Sequence, residues 1–217
     1  MISAHRAETP REAWEQLILG NKRFISGEPA HPRQDVDHRD ELAAGQRPFA
    51  TLFGCSDSRL SAEIIFDLGL GDLFVVRNAG QTISQSVVGS LEYAVSNLGV
   101  HLILVLAHDD CGAVRIAMDS RLDEAQPLPS NIRAITDAIQ PAIDRVLLAN
   151  ATSDINEIFI DDVGRNTCGT QFPNCCHRVN LSATPSQTVA SVSSGQPTTC
   201  VRGASPPPSS LAISTKY

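Results

Sequence analysis

The feature that most restricts how this chain can fold is a rhythm. Short apolar runs at 49–54, 73–77 and 102–107 alternate with segments of helical character at 62–68 and 84–98. Runs of five or six residues bounded by polar and glycine-containing stretches have strand length. Strand, helix, strand, helix, strand in succession predicts parallel strands, because parallel neighbours need a crossover and cannot be joined by a tight turn. The expectation is an α/β fold with a central, mostly parallel sheet flanked by helices and right-handed connections. Such sheets collect their chemistry at the carboxyl ends of the strands, so the residues just after 54 and just after 107 are the first place to look for function.

Two further helices frame this unit. One is predicted over 10–28, started by Pro10, stopped by Gly27 and carrying Trp14, Leu17, Ile18 and Phe24 near helical spacing, with the polar stretch 31–39 after it. The other, 131–150, aligns Ile132, Ile135, Ile139, Ile143, Val146 and Leu147, with Pro141 as a kink. The segment 84–98 puts Val87, Val88, Leu91, Tyr93, Ala94, Val95 and Leu98 around most of its surface, as suits a helix buried in a core or in a subunit interface. The longest apolar run, 102–107, is far below the roughly 20 residues a membrane helix needs. The first residues lack the apolar stretch of a secretory signal, so the expected location is the cytoplasm, without a membrane. A net charge of −7 argues against nucleic acid as a partner, since phosphate-binding surfaces concentrate Lys and Arg.

The run at 49–54 leads into C-S-D-S-R at 55–59, and the run at 102–107 leads into H-D-D-C-G at 108–112. If the two strands are neighbours, Cys55, His108 and Cys111 converge at one sheet edge. Two thiolates and an imidazole form a zinc ligand set of the catalytic kind, which keeps the fourth position for water or substrate. Asp57 is placed to occupy or guard that position, and Arg59, two residues on, to pair with it. Each piece also has an ordinary reading: a cysteine at a strand end is commonly packing, and an Asp-x-Arg pair is commonly a surface turn.

The combination of C-x-D-x-R with H-x-x-C some fifty residues later resembles the β-class carbonic anhydrases, over about residues 10–160. The resemblance implies one zinc per chain held by Cys55, His108 and Cys111, with Asp57 as a possible fourth ligand. It also implies Asp57 and Arg59 as the catalytic pair, and reversible hydration of carbon dioxide to bicarbonate and a proton by a zinc-bound hydroxide. Gln46, Phe74 and Tyr93 match substrate-pocket residues of the plant-like branch, and Ala79 stands where many members carry a valine. A homodimer or homotetramer is implied, with pocket aromatics shared across the interface. Related hydrolases acting on carbon disulfide, a structural zinc protein without turnover, and an inactive frameshifted product are the alternatives. Against the second stands the Asp57–Arg59 pair, which a closed structural site does not need.

The chain changes character after Asp162. None of its 24 acidic residues lies in 163–217, which is rich in Ser, Thr and Pro and has the composition of disorder. The expectation is a zinc-dependent domain at 1–162 and an aberrant tail at 163–217, with the family's last strand, G-x-L-x-[IV]-V-G-x-x-Y, missing. A one-base change of reading frame accounts for this, because codons can be chosen for 178–205 that give a glycine-stopped helix and such a strand one base along. On that reading Cys168, Cys175, Cys176, His177 and Cys200 are accidents of frame. A genuine disordered tail is the alternative.

Overall fold

A computed structural model describes residues 6–167, 188–193 and 196–201. Its centre is the predicted parallel sheet. Strand β1 (Ala50–Cys55) lies between β2 (Leu73–Asn78) and β3 (Leu102–Leu106), parallel to both, with Gly54 opposite Arg77 on one side and Leu106 on the other. Alternation along β3 builds two cores. Leu102, Leu104 and Leu106 pack with Trp14, Leu17, Ile18 and Phe66 on one face, while Ile103 and Val105 pack with Phe53, Val87, Leu91 and Val95 on the other.

Helix α1 (Pro10–Ser26) covers the first face. Thr9 and Glu12 cap it reciprocally, and Gly27 closes it in a left-handed conformation. Gly20 has no room for a side chain: a Cβ there would sit 1.7 Å from the carbonyl oxygen of Phe66, so only glycine lets α1 approach the short helix α3 (Ala62–Ile65) this closely. In sequence between them comes α2 (Val36–Leu42), capped by Asp35 and overlapping the stretch read as polar. It buries no residue, so it leaves no apolar periodicity to detect. Helix α4 (Gln85–Ser96) covers the second face through Val87, Leu91, Ala94 and Val95, and leaves Tyr93 47% exposed.

Helix α5 (Gly112–Asp119), which the sequence did not suggest, packs with α6 (Ser130–Ala149) around Val114, Ala117, Ile139, Ala142 and Ile143. Helix α6 runs on through Pro141 as a single element. A last helical stretch, 160–167, crosses the composition boundary at 162 and buries Val163 in the cluster that holds Cys55 and Cys111.

Beside β3, where the sequence suggested an open edge, the backbone of β4 (Thr188–Ser193) pairs in parallel and β5 (Gln196–Val201) pairs with β4 antiparallel, giving the order β2-β1-β3-β4-β5. Such pairing is made by main-chain groups, so it forms here without the strand motif that the family resemblance leads one to expect. T-V-A-S-V-S supplies the β-branched residues a strand tolerates even though it is unlike the expected G-x-L-x-[IV]-V-G. The tail residues Cys168, Cys175, Cys176 and His177, and the side chain of Cys200, lie outside what is described.

Candidate metal centre

The centre forms where three strands end together. Cys55 is the last residue of β1, and His108 and Cys111 lie in the loop that leaves β3. The pairing of β1 with β3 therefore does what the sequence required of it. The two sulfurs are 3.9 Å apart and the ligand atoms of Cys55, His108 and Cys111 all lie within 4.8 Å of one another; all three residues are buried.

The loop after β2 closes the third side. Asn78 clasps Thr82 through two hydrogen bonds, its side-chain amide donating to the Thr82 carbonyl at 2.7 Å and its Oδ1 accepting from the Thr82 amide at 2.9 Å. This tight turn carries Gly80 at φ 70° and aims its N–H at the Cys55 sulfur, 3.4 Å away. A side chain at residue 80 would meet Ala113 Cβ at 3.0 Å and Ile139 Cδ1 at 3.1 Å, in addition to the strain of a positive φ.

The loop after Cys55 is held by two arginines. Arg77, on β2, donates from Nε to the Cys55 carbonyl (2.7 Å) and from Nη2 to the Asp57 carbonyl (2.6 Å), pinning the backbone on both sides of Ser56. Arg59 grips the Asp57 carboxylate in a fork, Nε to Oδ1 and Nη2 to Oδ2, both at 2.9 Å, and its own amide adds a third bond to Oδ1 at 3.0 Å. The hydrogen bond from Arg59 holds the Asp57 carboxyl well below the usual carboxylate range. Asp57 is thus an acceptor locked in one orientation, and it is not a member of the Cys–His–Cys cluster.

The donor set fits a zinc ion. Tetrahedral coordination with Zn–S near 2.3 Å places two thiolate sulfurs about 3.8 Å apart, close to the spacing found here. Nε2 of His108 is buried with no hydrogen-bond partner, an orphaned lone pair or proton that a metal would satisfy. The two thiols form a buried hydrogen-bonded pair. Their contact lowers the Cys55 value and raises that of Cys111, and the Gly80 amide adds to the lowering at Cys55. Burial works against a charged His108, but the neighbouring Cys55 sulfur and the Asp57 carboxylate outweigh it and raise the imidazole.

Of the other residues singled out from the sequence, Ala79 sits in the turn beside Gly80 and, with Ala113, Ile116, Ile132, Ile135 and Thr136, lines an apolar cavity of about 190 Å³. Gln46, Phe74 and Tyr93 are elsewhere. Gln46 is exposed in the loop before β1, and Phe74, its ring centroid 6.0 Å from that of Tyr93, pairs in register with Thr51 near the start of β1. Cys55 is four residues further along, roughly 13 Å at strand rise. Sequence reasoning assigned no part in the site to Arg77, Asn78, Gly80 or Asp161. Arg77 and Gly80 act through main-chain groups, and Asp161 accepts from the Asp110 amide 51 residues away, so no spacing announces them.

The family model described as carbonic anhydrase matches residues 50–183. Carbonic anhydrase 2 of Mycobacterium tuberculosis is 53% identical over 134 residues, covering 62% of this chain and 64% of that protein. The carbonic anhydrase of Mycolicibacterium smegmatis is 51% identical over 134 residues, covering 62% of this chain and 65% of that one. The chain therefore spans just under two thirds of the length of these relatives. Among solved structures, the fold is similar to that of the Coccomyxa β-carbonic anhydrase in complex with acetazolamide, with a TM-score of 0.63 at 21% identity over 86% of this chain and 87% of that one. It is also similar to a chain from the crystal structures of two tetrameric β-carbonic anhydrases from Sordaria macrospora, with a TM-score of 0.58 at 22% identity over 86% of this chain and 96% of that one.

Proposed function

Because the chain belongs to the carbonic anhydrase family, in its β class, we propose that it catalyses the reversible hydration of carbon dioxide to bicarbonate and a proton. The observation that carries this reading is the buried Cys55–His108–Cys111 cluster next to a carboxylate that Arg59 holds in a fixed orientation. A closed structural site would spend its fourth position on another Cys or His.

Cys55, His108 and Cys111 would hold zinc, which when bound supplies the Lewis acidity that makes water nucleophilic near neutral pH. The protein's own groups do the rest. Asp57, kept ionised by Arg59, accepts a hydrogen bond from the attacking water and orients it toward the substrate carbon. Arg77 keeps the Asp57 backbone from drifting by its bond to the Asp57 carbonyl. Ala79 and its apolar neighbours offer a surface that suits a non-polar substrate. Gln46 donates its amide hydrogens to a substrate oxygen as charge develops there. The place of Gln46 and the Phe74–Tyr93 pair, toward the start of β1 and away from the cluster at its end, supports a pocket completed by a second copy of the chain. The Sordaria macrospora neighbours are tetrameric, and we take this chain to be a dimer or a tetramer. A cytoplasmic location goes with this reading; among the described residues no helix is long and apolar enough to cross a membrane.

Zinc analysis and stopped-flow assays on the purified full chain test the proposal. We expect about one zinc per chain, turnover of carbon dioxide, and loss of most zinc and of at least about a thousandfold in activity in Cys111→Ser. Zinc-loaded protein that turns over carbon disulfide and leaves carbon dioxide untouched would refute it, as would a fully active Cys111→Ser.

The residues beyond 162 are assigned no part in the chemistry, except that the stretch to 167 completes the helix behind the centre. We hold the remainder to be read out of frame. Resequencing the gene across codons 155–217, with mass spectrometry of the C-terminal peptide, checks this, and an intact present frame overturns it.

A further inference from the structure

Between the two ligands on the β3 loop sits Asp110, with φ at +53°, a left-handed conformation that strains a residue with a side chain, though Asp is among those that tolerate it best. Three contacts hold it there. Its amide donates to Oδ1 of Asp161 at 2.9 Å across 51 residues of sequence, its carboxylate pairs with Arg115, and its carbonyl accepts a long hydrogen bond from Nη2 of Arg59 at 3.5 Å. That same Nη2 is the one bound to Oδ2 of Asp57. A continuous path thus runs from Asp161 through the Asp110 backbone to Arg59 and on to the Asp57 carboxylate.

We propose that Asp161 is a positioning residue for the centre: by fixing the left-handed turn at Asp110 it sets the carbonyl against which Arg59 rests, and so the direction in which Asp57 points. This rests on the functional reading of the centre given above. The platform is firm. Ile158 and Val163 pack in one cluster with Cys55, Leu60 and Cys111, and a Cβ at Gly164 would lie 3.7 Å from the carbonyl oxygen of His108, so the 160–167 helix is seated directly against the ligand loop. Were the Asp110 amide released, φ could return to negative values. The following peptide would then turn, carrying with it both the carbonyl that Arg59 uses and the amide of the ligand Cys111. A carboxylate in a first helical turn also stabilises the helix itself, and Asp162, paired with Arg165 in the same turn, offers the matched control.

The test uses the zinc-loaded full chain and three variants, Asp161→Ala, Asp161→Asn and Asp162→Ala, read by zinc content, exchange rate of the Asp110 amide, and kcat/KM for carbon dioxide. In Asp161→Ala we expect zinc to stay, amide exchange to rise about tenfold or more, and kcat/KM to fall about tenfold. Asp161→Asn, which keeps the accepting oxygen, should stay within about twofold of the parent in both, and Asp162→Ala should leave the Asp110 amide unchanged. Exchange in Asp161→Ala equal to the parent's, equal effects of Asp161→Ala and Asp162→Ala, or zinc lost in step with activity would each overturn the proposal. If the zinc-loaded parent does not hydrate carbon dioxide, the functional reading fails on its own, and amide exchange still decides whether Asp161 holds the turn.

Discussion

Two Asp–Arg pairs in this molecule use the same chemistry for opposite ends. At the metal centre, the Asp57 carboxylate takes three hydrogen bonds from Arg59, two positions along the chain, and the side chains stay 20% and 48% exposed. Beneath helix α1, the Asp67 side chain is 1% exposed and binds three groups on two other segments: the Arg23 guanidinium of α1 and the Ala30 and His31 amides of the loop after it, both amides at 2.9 Å. The first carboxylate is bound within one loop, while its guanidinium reaches out to the Asp110 carbonyl. The second ties α1 and the loop that follows it to the end of α3, and cannot move without disturbing all of them. What separates a structural ion pair from a functional one here is how many elements share the carboxylate.

That contrast can be broken by experiment. Asp67→Ala should produce the larger effect, a loss of about 3 kcal/mol in stability by chemical denaturation, because it strands Arg23 and two partly buried amides. Activity per folded chain should change by less than about twofold, and a large loss in kcat would mean the two regions are coupled. Asp57→Ala should do the reverse. Activity falls about ten- to a hundredfold, or 1.4–2.7 kcal/mol on the barrier, with zinc retained and the denaturation midpoint close to the parent's. If Asp57→Ala matches the parent's rate from about pH 6 to 9, its assigned role is wrong.

A smaller effect sharpens the distinction. Burial alone would raise the Asp67 carboxyl, but the bonds from the Ala30 amide, Arg23 and the His31 amide outweigh it and leave the value below the ordinary one. A group depressed in the folded state stabilises the fold above its unfolded value, about 3.9, and that contribution fades as pH drops through the folded value. Acid titration of stability should therefore be steeper for the parent than for Asp67→Asn, and equal slopes would show that the charge on Asp67 does not matter.

Much of this was legible in the sequence. Cys55, His108 and Cys111 could be found because each follows an apolar strand, and the pairing of β1 with β3 brings them together as strand order required. Asp57 and Arg59 were legible by their spacing. Helix α5 was hidden because G-A-V-R-I-A-M-D is short and buries only Val114 and Ala117, and α2 because it buries nothing. The sequence suggested a short helix to 68, whereas α3 stops at Ile65, and Asp67 then takes φ +43° to face Ala30 and His31. Arg77, Gly80 and Asp161 were illegible for a common reason. Each touches backbone or sulfur of a residue distant in sequence, and such contacts constrain where a residue sits without marking what type stands nearby.

The separation of the ligands along the chain also fixes an order of events. Cys55 and Cys111 lie 56 residues apart, and only His108 and Cys111 are sequence neighbours. An unfolded chain would have to close that loop at full entropic cost to offer three ligands at once, whereas the docking of β3 against β1 closes it as part of forming the sheet. Metal uptake would then come late, to a chain whose central strands have already found each other. An ion held by these residues would act as a staple across the two strands, holding together a long stretch of chain that would otherwise be free to open.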